Sequence, residues 1–269
     1  HTRVFILRTC DHEQAGKVIG VQGREPNAKR MSLFAEARVL ASLLRGLPRD
    51  GEHASRLDRF YGQQASQYDR FRERLLVGRR DLMTRLPIER GDLVVELGGG
   101  TGRNADFLGK RLQWLERYEV VDVCKPLLEI ARQRAEHNSH ICVIADDATR
   151  YQPARPADRV VMSYALSMIP QWQQAIDNAV DMLRPGGTVA VVDFYVSATT
   201  PRPDEAQHGA FARWFWPRWF GHDGVRLSPE PLEYLRWRFN TAHLGEHLSS
   251  VPYLPFTKVP FYVFLGTKT

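Results

Sequence analysis

The stretch VVELGGGTGRN, residues 94–104, limits what this chain can fold into more than any other. A run of strand-forming residues ends at Leu97, glycines follow at 98, 99, 100 and 102, and helical spacing begins at about Arg103. Glycine lacks a Cβ, so such a loop turns tightly and lets a ligand approach the backbone. A strand, a glycine turn and a helix make the opening unit of a parallel α/β sheet. Open sheets of that kind bind ligands beyond the carboxyl ends of their strands.

The same rhythm continues down the chain. YEVVDV (118–123) and ICVIADD (141–147) predict two further strands, with a helix between them over 126–136. A fourth strand falls at 158–163, a helix at 172–183, and TVAVVDFY (188–195) is a fifth strand after an RPGG turn. VPFYVFLGTK (259–268) reads as a closing strand. Strands alternating with helices at this spacing predict a mainly parallel sheet with helices on both faces. Upstream, helical spacing over 32–47, 55–74 and 79–86 predicts an N-terminal helical cap, whereas residues 1–30 find no place in the pattern. The expected division is an arm and cap over 1–90 and a core over 91–269, with an insertion at 197–240.

Two ligands compete for the glycine loop. A dinucleotide fingerprint GxGxxG/A would put Arg103 at its third position, which is neither glycine nor alanine. Glu96, two residues before the first glycine, would repel a pyrophosphate but suits a cofactor carrying an amino group. The arrangement resembles motif I of the class I S-adenosylmethionine-dependent methyltransferases, acidic-x-Gly-x-Gly-x-Gly, filled by Glu96, Gly98, Gly100 and Gly102 with Gly99 between. Asp122, beside Val123 at the end of the second strand, stands where a carboxylate accepts ribose hydroxyls. ADDAT resembles the family's Asp-Ala element, with Asp147 and Ala148 in place for the adenine amino group and Asp146 fitting less well. The resemblance implies a Rossmann-like class I methyltransferase fold with a seven-stranded sheet, and S-adenosyl-L-methionine as cofactor.

Four stretches resemble a narrower group, the N-methyltransferases of betaine-lipid synthesis: FYGQQASQYDRFRE, ELGGGTGRN, SYALSMIPQWQQAIDNAVDMLRPGGTVAVVDFYVS and WFWPRWFGHDGVRLSPEPLEYLR. That resemblance implies methylation of the amine of diacylglyceryl-homoserine, and leaves open whether a partner enzyme supplies the lipid. It places Tyr68 against the cofactor's methionine part, on a helix whose other face-sharing residue is Tyr61; plain core packing is the competing account of both. Ser163, Tyr164 and Tyr195 fall at strand ends where cofactor and acceptor should meet. A homoserine carboxylate wants an arginine, and Arg72, Arg213 and Arg218 are candidates. His222, oriented by Asp223, is placed to accept the amine proton, or else caps a structural turn.

The remaining features narrow the partners. A formal charge of +6 suits an anionic surface without choosing between phospholipid and nucleic acid. No Asn-Pro-Pro-Tyr-like stretch follows the fourth strand, which disfavours a nucleic-acid substrate. The segment FARWFWPRWFGHDG (211–224) puts indoles beside arginines, as at a membrane interface. Pro217 predicts that it breaks into two short pieces forming a partly exposed lid. His243 and His247 in HLGEH offer no third metal ligand, and the three widely spaced cysteines indicate neither a disulfide framework nor zinc. With no apolar run of about 18 residues and no clear leader pattern, a cytoplasmic protein peripheral to the membrane is expected. A methyltransferase of a small soluble amine or of phosphatidylethanolamine, and a non-catalytic docking subunit, are the alternatives.

Overall fold

The computed structural model describes residues 52, 55–58, 75–222, 224–251 and 257–269. The arm, most of the N-terminal cap, Tyr61, Tyr68, Arg72 and Asp223 lie outside the described residues. Seven strands form one sheet in the order β3-β2-β1-β4-β5-β7-β6. They are β1 (Leu93–Leu97), β2 (Arg117–Asp122), β3 (Ile141–Ala145), β4 (Ala157–Ser163), β5 (Leu183–Phe194), β6 (Asn240–Ser250) and β7 (Lys258–Thr267). The first five run parallel, and β7 pairs antiparallel with both β5 and β6. The strand order reverses direction between β1 and β4, which opens a crevice at their carboxyl ends.

Strand alternation divides the core into two layers. Val94, Val161, Ala190, Val192 and Phe261 face one layer, which also holds Leu82 and Met83 of α1 (Arg79–Arg85). Val95, Leu97, Met162, Val191 and Phe264 face the other, packed by Ile176 of α4 (Trp172–Met182) and Leu235 of α6 (Glu230–Arg238). All five residues of β1 are buried because helices cover both faces of a central parallel strand. The helix expected from Arg103 is α-helical only over α2 (Arg103–Asp106). A 3₁₀ turn at Gly109–Trp114 completes the crossover, entered through Gly109 at φ 54°. β2 then leads into α3 (Lys125–Glu136).

Strand β6 was not legible as one. His243 and His247 lie on it four residues apart, paired to Leu265 and Phe261. Cys124 is a buried free thiol, its pKa pushed up to about 12 by burial.

The aromatic segment departs from expectation in a second way. It forms one helix, α5 (Ala210–Gly221), running through Pro217. Proline removes one backbone donor, but side chains four apart hold the turns together. Phe211 stacks on Phe215 at 5.2 Å, Phe215 on Trp219 at 5.6 Å, and Trp216 meets Phe220 at 5.7 Å. Trp216 and Phe220 are buried, while Phe211, Trp214 and Trp219 are exposed.

Candidate cofactor and acceptor site

A cavity opens at the carboxyl ends of β1 to β4. The loop after β1 forms its floor. Gly98 and Gly99 both donate their amides to the Val121 carbonyl, at 2.9 and 3.1 Å, tying the loop to β2. A Cβ on Gly98 would lie 2.7 Å from the Cβ of Ala165, and φ is 69° there, so only glycine fits.

The carboxylates at the cavity are oriented mainly by backbone amides and neutral side chains. Asp122 accepts the Gly100 amide on one oxygen and the Cys124 amide on the other, both at 2.8 Å. Burial raises its pKa, partly offset by those amides. Glu96 points into the first core layer, 1% exposed, accepting Asn104 Nδ2 at 2.6 Å and the Tyr118 hydroxyl at 2.8 Å. Burial pushes its pKa up to about 7, against the pull of those two donors. Asp147 lines the cavity and is fixed by the Thr149 amide and hydroxyl, each 2.8 Å from Oδ1. Asp146 instead turns to Arg150 at 3.2 Å.

Nine of the ten residues expected to hold the cofactor therefore border one cavity: Glu96, Gly98, Gly99, Gly100, Asp122, Val123, Asp147, Ala148 and Ser163. The tenth, Tyr68, lies outside the described residues. The Ser163 hydroxyl is buried with no hydrogen-bond partner among the described residues. Tyr164 also borders the cavity, with its backbone in the left-handed region at φ 54°, a conformation bulky residues rarely adopt. Its hydroxyl donates to the Val77 carbonyl, and burial pushes its pKa well up.

Three expected site residues are not brought there. Phe194 and Tyr195 are consecutive on an extended chain, so they face opposite layers; Tyr195 donates its hydroxyl to Glu246 of β6 and stands away from the cavity. Arg218 is exposed on α5, its guanidinium carbon 5.0 Å from the Trp214 ring. His222 is the exposed C-cap of that helix and does not line the cavity, which fits the turn-capping account better than proton transfer. Arg213, another candidate, donates to the carbonyls of Ala198 and Thr199.

Four contributors escaped the sequence reading. Arg79 is 7% exposed and lines the cavity, its Nε donating to Leu76 O at 3.2 Å. Asn104 and Tyr118 hold Glu96. Asp193, whose pKa burial pushes up to about 6, accepts the Ser167 amide at 3.0 Å and pins the loop after β4. A helical arginine reads as solvated surface, and only the packing reveals otherwise.

The donor set discriminates between ligands. Three carboxylates, Arg79 and Arg103, and apolar side chains such as Leu127, Met168 and Ile169 surround the space. The carboxylates suit a cationic nucleoside with free hydroxyls and an ammonium group, and an arginine suits the carboxylate of its amino-acid part.

Residues 94–187 match the family model described as Methyltransferase domain. The core is a class I methyltransferase fold. S-adenosylmethionine is the cofactor that its acids fit. Among relatives, trans-aconitate 2-methyltransferase of Rhizobium rhizogenes is 30% identical over 176 residues, covering 62% of this chain and 63% of that one. The 2-phytyl-1,4-naphtoquinone methyltransferase of Thermosynechococcus vestitus is 26% identical over 162 residues, covering 58% and 69%. The chain spans between 48% and 63% of the length of the first curated relatives it matches. Among solved structures, the N-methyltransferase NodS of Bradyrhizobium japonicum, bound to S-adenosyl-L-homocysteine, superposes with a TM-score of 0.57 at 20% identity, covering 79% of this chain and 98% of that one. The [4+2]-cyclase SpnF superposes with 0.61 at 14% identity, covering 83% and 98%, so the shared fold leaves the acceptor and even the reaction open. The trans-aconitate and 2-phytyl-1,4-naphtoquinone methyltransferases are named for acceptors other than betaine lipids.

Proposed function

We propose that this chain is an S-adenosylmethionine-dependent N-methyltransferase acting on the amino headgroup of a lipid, with diacylglyceryl-homoserine as the favoured acceptor. One observation carries the lipid part. An aromatic column leads from the cavity wall to α5: Tyr164 meets Phe194 at 4.6 Å, Phe194 stacks on Phe220 at 5.1 Å, and Phe220 meets Trp216 at 5.7 Å. Tyr164 lines the cavity and the other three rings are buried behind it, so an acceptor with an apolar body would meet an aromatic face backed by α5.

When bound, the cofactor supplies an electrophilic methyl on a sulfonium. Asp122 would hold its ribose hydroxyls, Asp147 its adenine amino group, Glu96 its ammonium and Arg79 its carboxylate. The chain's own work is to fix geometry and keep water out. The glycine loop and the pinned loop after β4 fix two walls, and Leu127, Met168 and Ile169 make the surroundings apolar. Tyr164 stays neutral at ordinary pH, and because its O–H is committed to Val77, its oxygen keeps lone pairs free to accept an amine N–H. An amine that has shed its proton is already nucleophilic, so no strong base is required.

Incubation with labelled S-adenosylmethionine and a panel of aminolipids and soluble amines tests this reading. Labelled diacylglyceryl-homoserine or another aminolipid is the expected product; label only in water-soluble amines would end the lipid assignment and leave the fold untouched. The trans-aconitate relatives make a small soluble acceptor the second reading.

A further inference from the structure

We propose that the outward stripe of α5 is the surface through which this chain rests on an anionic phospholipid bilayer, a proposal that deepens the lipid-acceptor reading and rests on it for its purpose. The stripe consists of Phe211, Trp214, Phe215, Arg218 and Trp219. Their spacing is that of a single helix face. Phe211, Trp214 and Trp219 are 68%, 54% and 41% exposed, whereas Trp216 and Phe220, opposite them, are 3% and 5% exposed. The outer rings form a continuous ladder, Phe211 on Phe215 at 5.2 Å and Phe215 on Trp219 at 5.6 Å. Exposed rings grouped in this way mark an interaction surface rather than chance exposure.

Charge selects the partner. From Ala206 to His222 the chain has two arginines and no carboxylate. Arg218 lies over the Trp214 ring on the stripe itself. A dry protein interface would have to desolvate that guanidinium and supply it with an anion. A layer of anionic headgroups offers phosphate at the depth where indole rings settle, and lets the arginine keep its head in water. The inner side of the same helix contributes Phe220 to the column that ends at Tyr164, so docking would bring the cavity wall close to the bilayer surface. Among the described residues no helix is long and apolar enough to cross a membrane, so α5 would lie along the surface.

Co-sedimentation of the full chain with vesicles tests the proposal, using phosphatidylcholine alone and phosphatidylcholine with about a quarter phosphatidylglycerol. Binding is expected to the anionic vesicles, weakened by roughly tenfold or more on pure phosphatidylcholine and in the Phe211→Ala/Trp214→Ala/Trp219→Ala variant. Arg218→Glu, which keeps every ring, should lower binding to the anionic vesicles alone and covers the case in which the triple variant fails to fold. No binding by the unaltered chain, or equal binding by a folded triple variant, overturns the proposal. So does an oligomer that the triple substitution dissociates without any change in vesicle binding, because the stripe would then belong to a second copy. Methylation of an aminolipid in detergent micelles is read separately. If it is absent while vesicles are bound, the lipid-acceptor reading fails and the docking surface stands; if it persists without vesicle binding, the reverse holds.

Discussion

The two ends of the sheet treat their acids in opposite ways. At the amino end Asp158 accepts Arg184 Nε at 2.6 Å, Arg155 Nη1 at 2.9 Å and the Leu93 amide at 2.9 Å. Burial works to raise its pKa, but these partners outweigh it and hold the carboxyl below its ordinary range. Asp92 and Arg159 make a buried pair nearby at 3.2 Å, though there burial outweighs the arginine and leaves the carboxyl raised. At the carboxyl end, among the described residues, Glu96 and Asp122 accept their hydrogen bonds from backbone amides, an asparagine and a phenol; the charge of Arg79 pulls on Glu96 more weakly than those donors, and burial leaves both acids raised. Acids matched with cations fasten strands. Acids left mainly with neutral donors are buried at some cost to the unliganded protein, a cost that a cationic ligand would relieve by favouring their charged form.

That contrast can be broken from either end. The largest effect is expected from Asp158→Ala, which strips two arginines and one amide of their acceptor. Urea unfolding should show a loss of about 3 kcal/mol, with S-adenosyl-L-homocysteine affinity unchanged in the folded fraction. At the other end, Asp122→Ala should weaken that ligand about 100-fold by calorimetry, because charge-assisted bonds to two hydroxyls disappear. Equal losses of stability and affinity in both variants would erase the distinction between the two ends.

Glu96→Gln sharpens it through pH. A folded carboxyl near 7 binds its proton more tightly than an unfolded one, so the unaltered protein loses stability as pH rises from the ordinary glutamate range through about 7. Glutamine removes that penalty. The variant should gain on the order of 2 kcal/mol relative to the unaltered chain at pH 8, gain nothing at pH 5, and bind the ligand less tightly. A gain independent of pH would show that Glu96 is not the titrating group. The smallest effect is expected from Trp214→Ala, an exposed ring on α5, whose unfolding free energy should stay within about 0.5 kcal/mol by the same urea measurement.

What the sequence revealed follows from how locally each signal is written. The glycine loop, Asp122 and Asp147 sit at the ends of short apolar runs, so their meeting at one crevice follows once the runs are read as parallel strands. Tyr195 shows the limit of that reasoning: a strand end can be located while the face of one residue is missed, and a shift by one residue reverses direction. β6 is an edge strand whose sequence NTAHLGEHLSS is mostly polar; its pairing with β7, not any alternation of its own, makes it a strand. Pro217 argued for a break, but the aromatic contacts that bridge it depend on side chains four apart packing on one another. Arg79 and Asn104 are polar groups whose burial only tertiary packing decides.

The 2.7 Å approach that any Cβ on Gly98 would make to Ala165 has a consequence for assembly. The floor and the facing wall of the crevice come from segments far apart in the chain, and they fit only when both are seated. A fragment ending near residue 150 would carry Glu96, Asp122 and Asp147 and still lack the half against which the nucleoside must be clamped. Binding competence should therefore emerge late in refolding, after the central strands have closed ranks, and limited proteolysis between those segments should abolish it in a single cut.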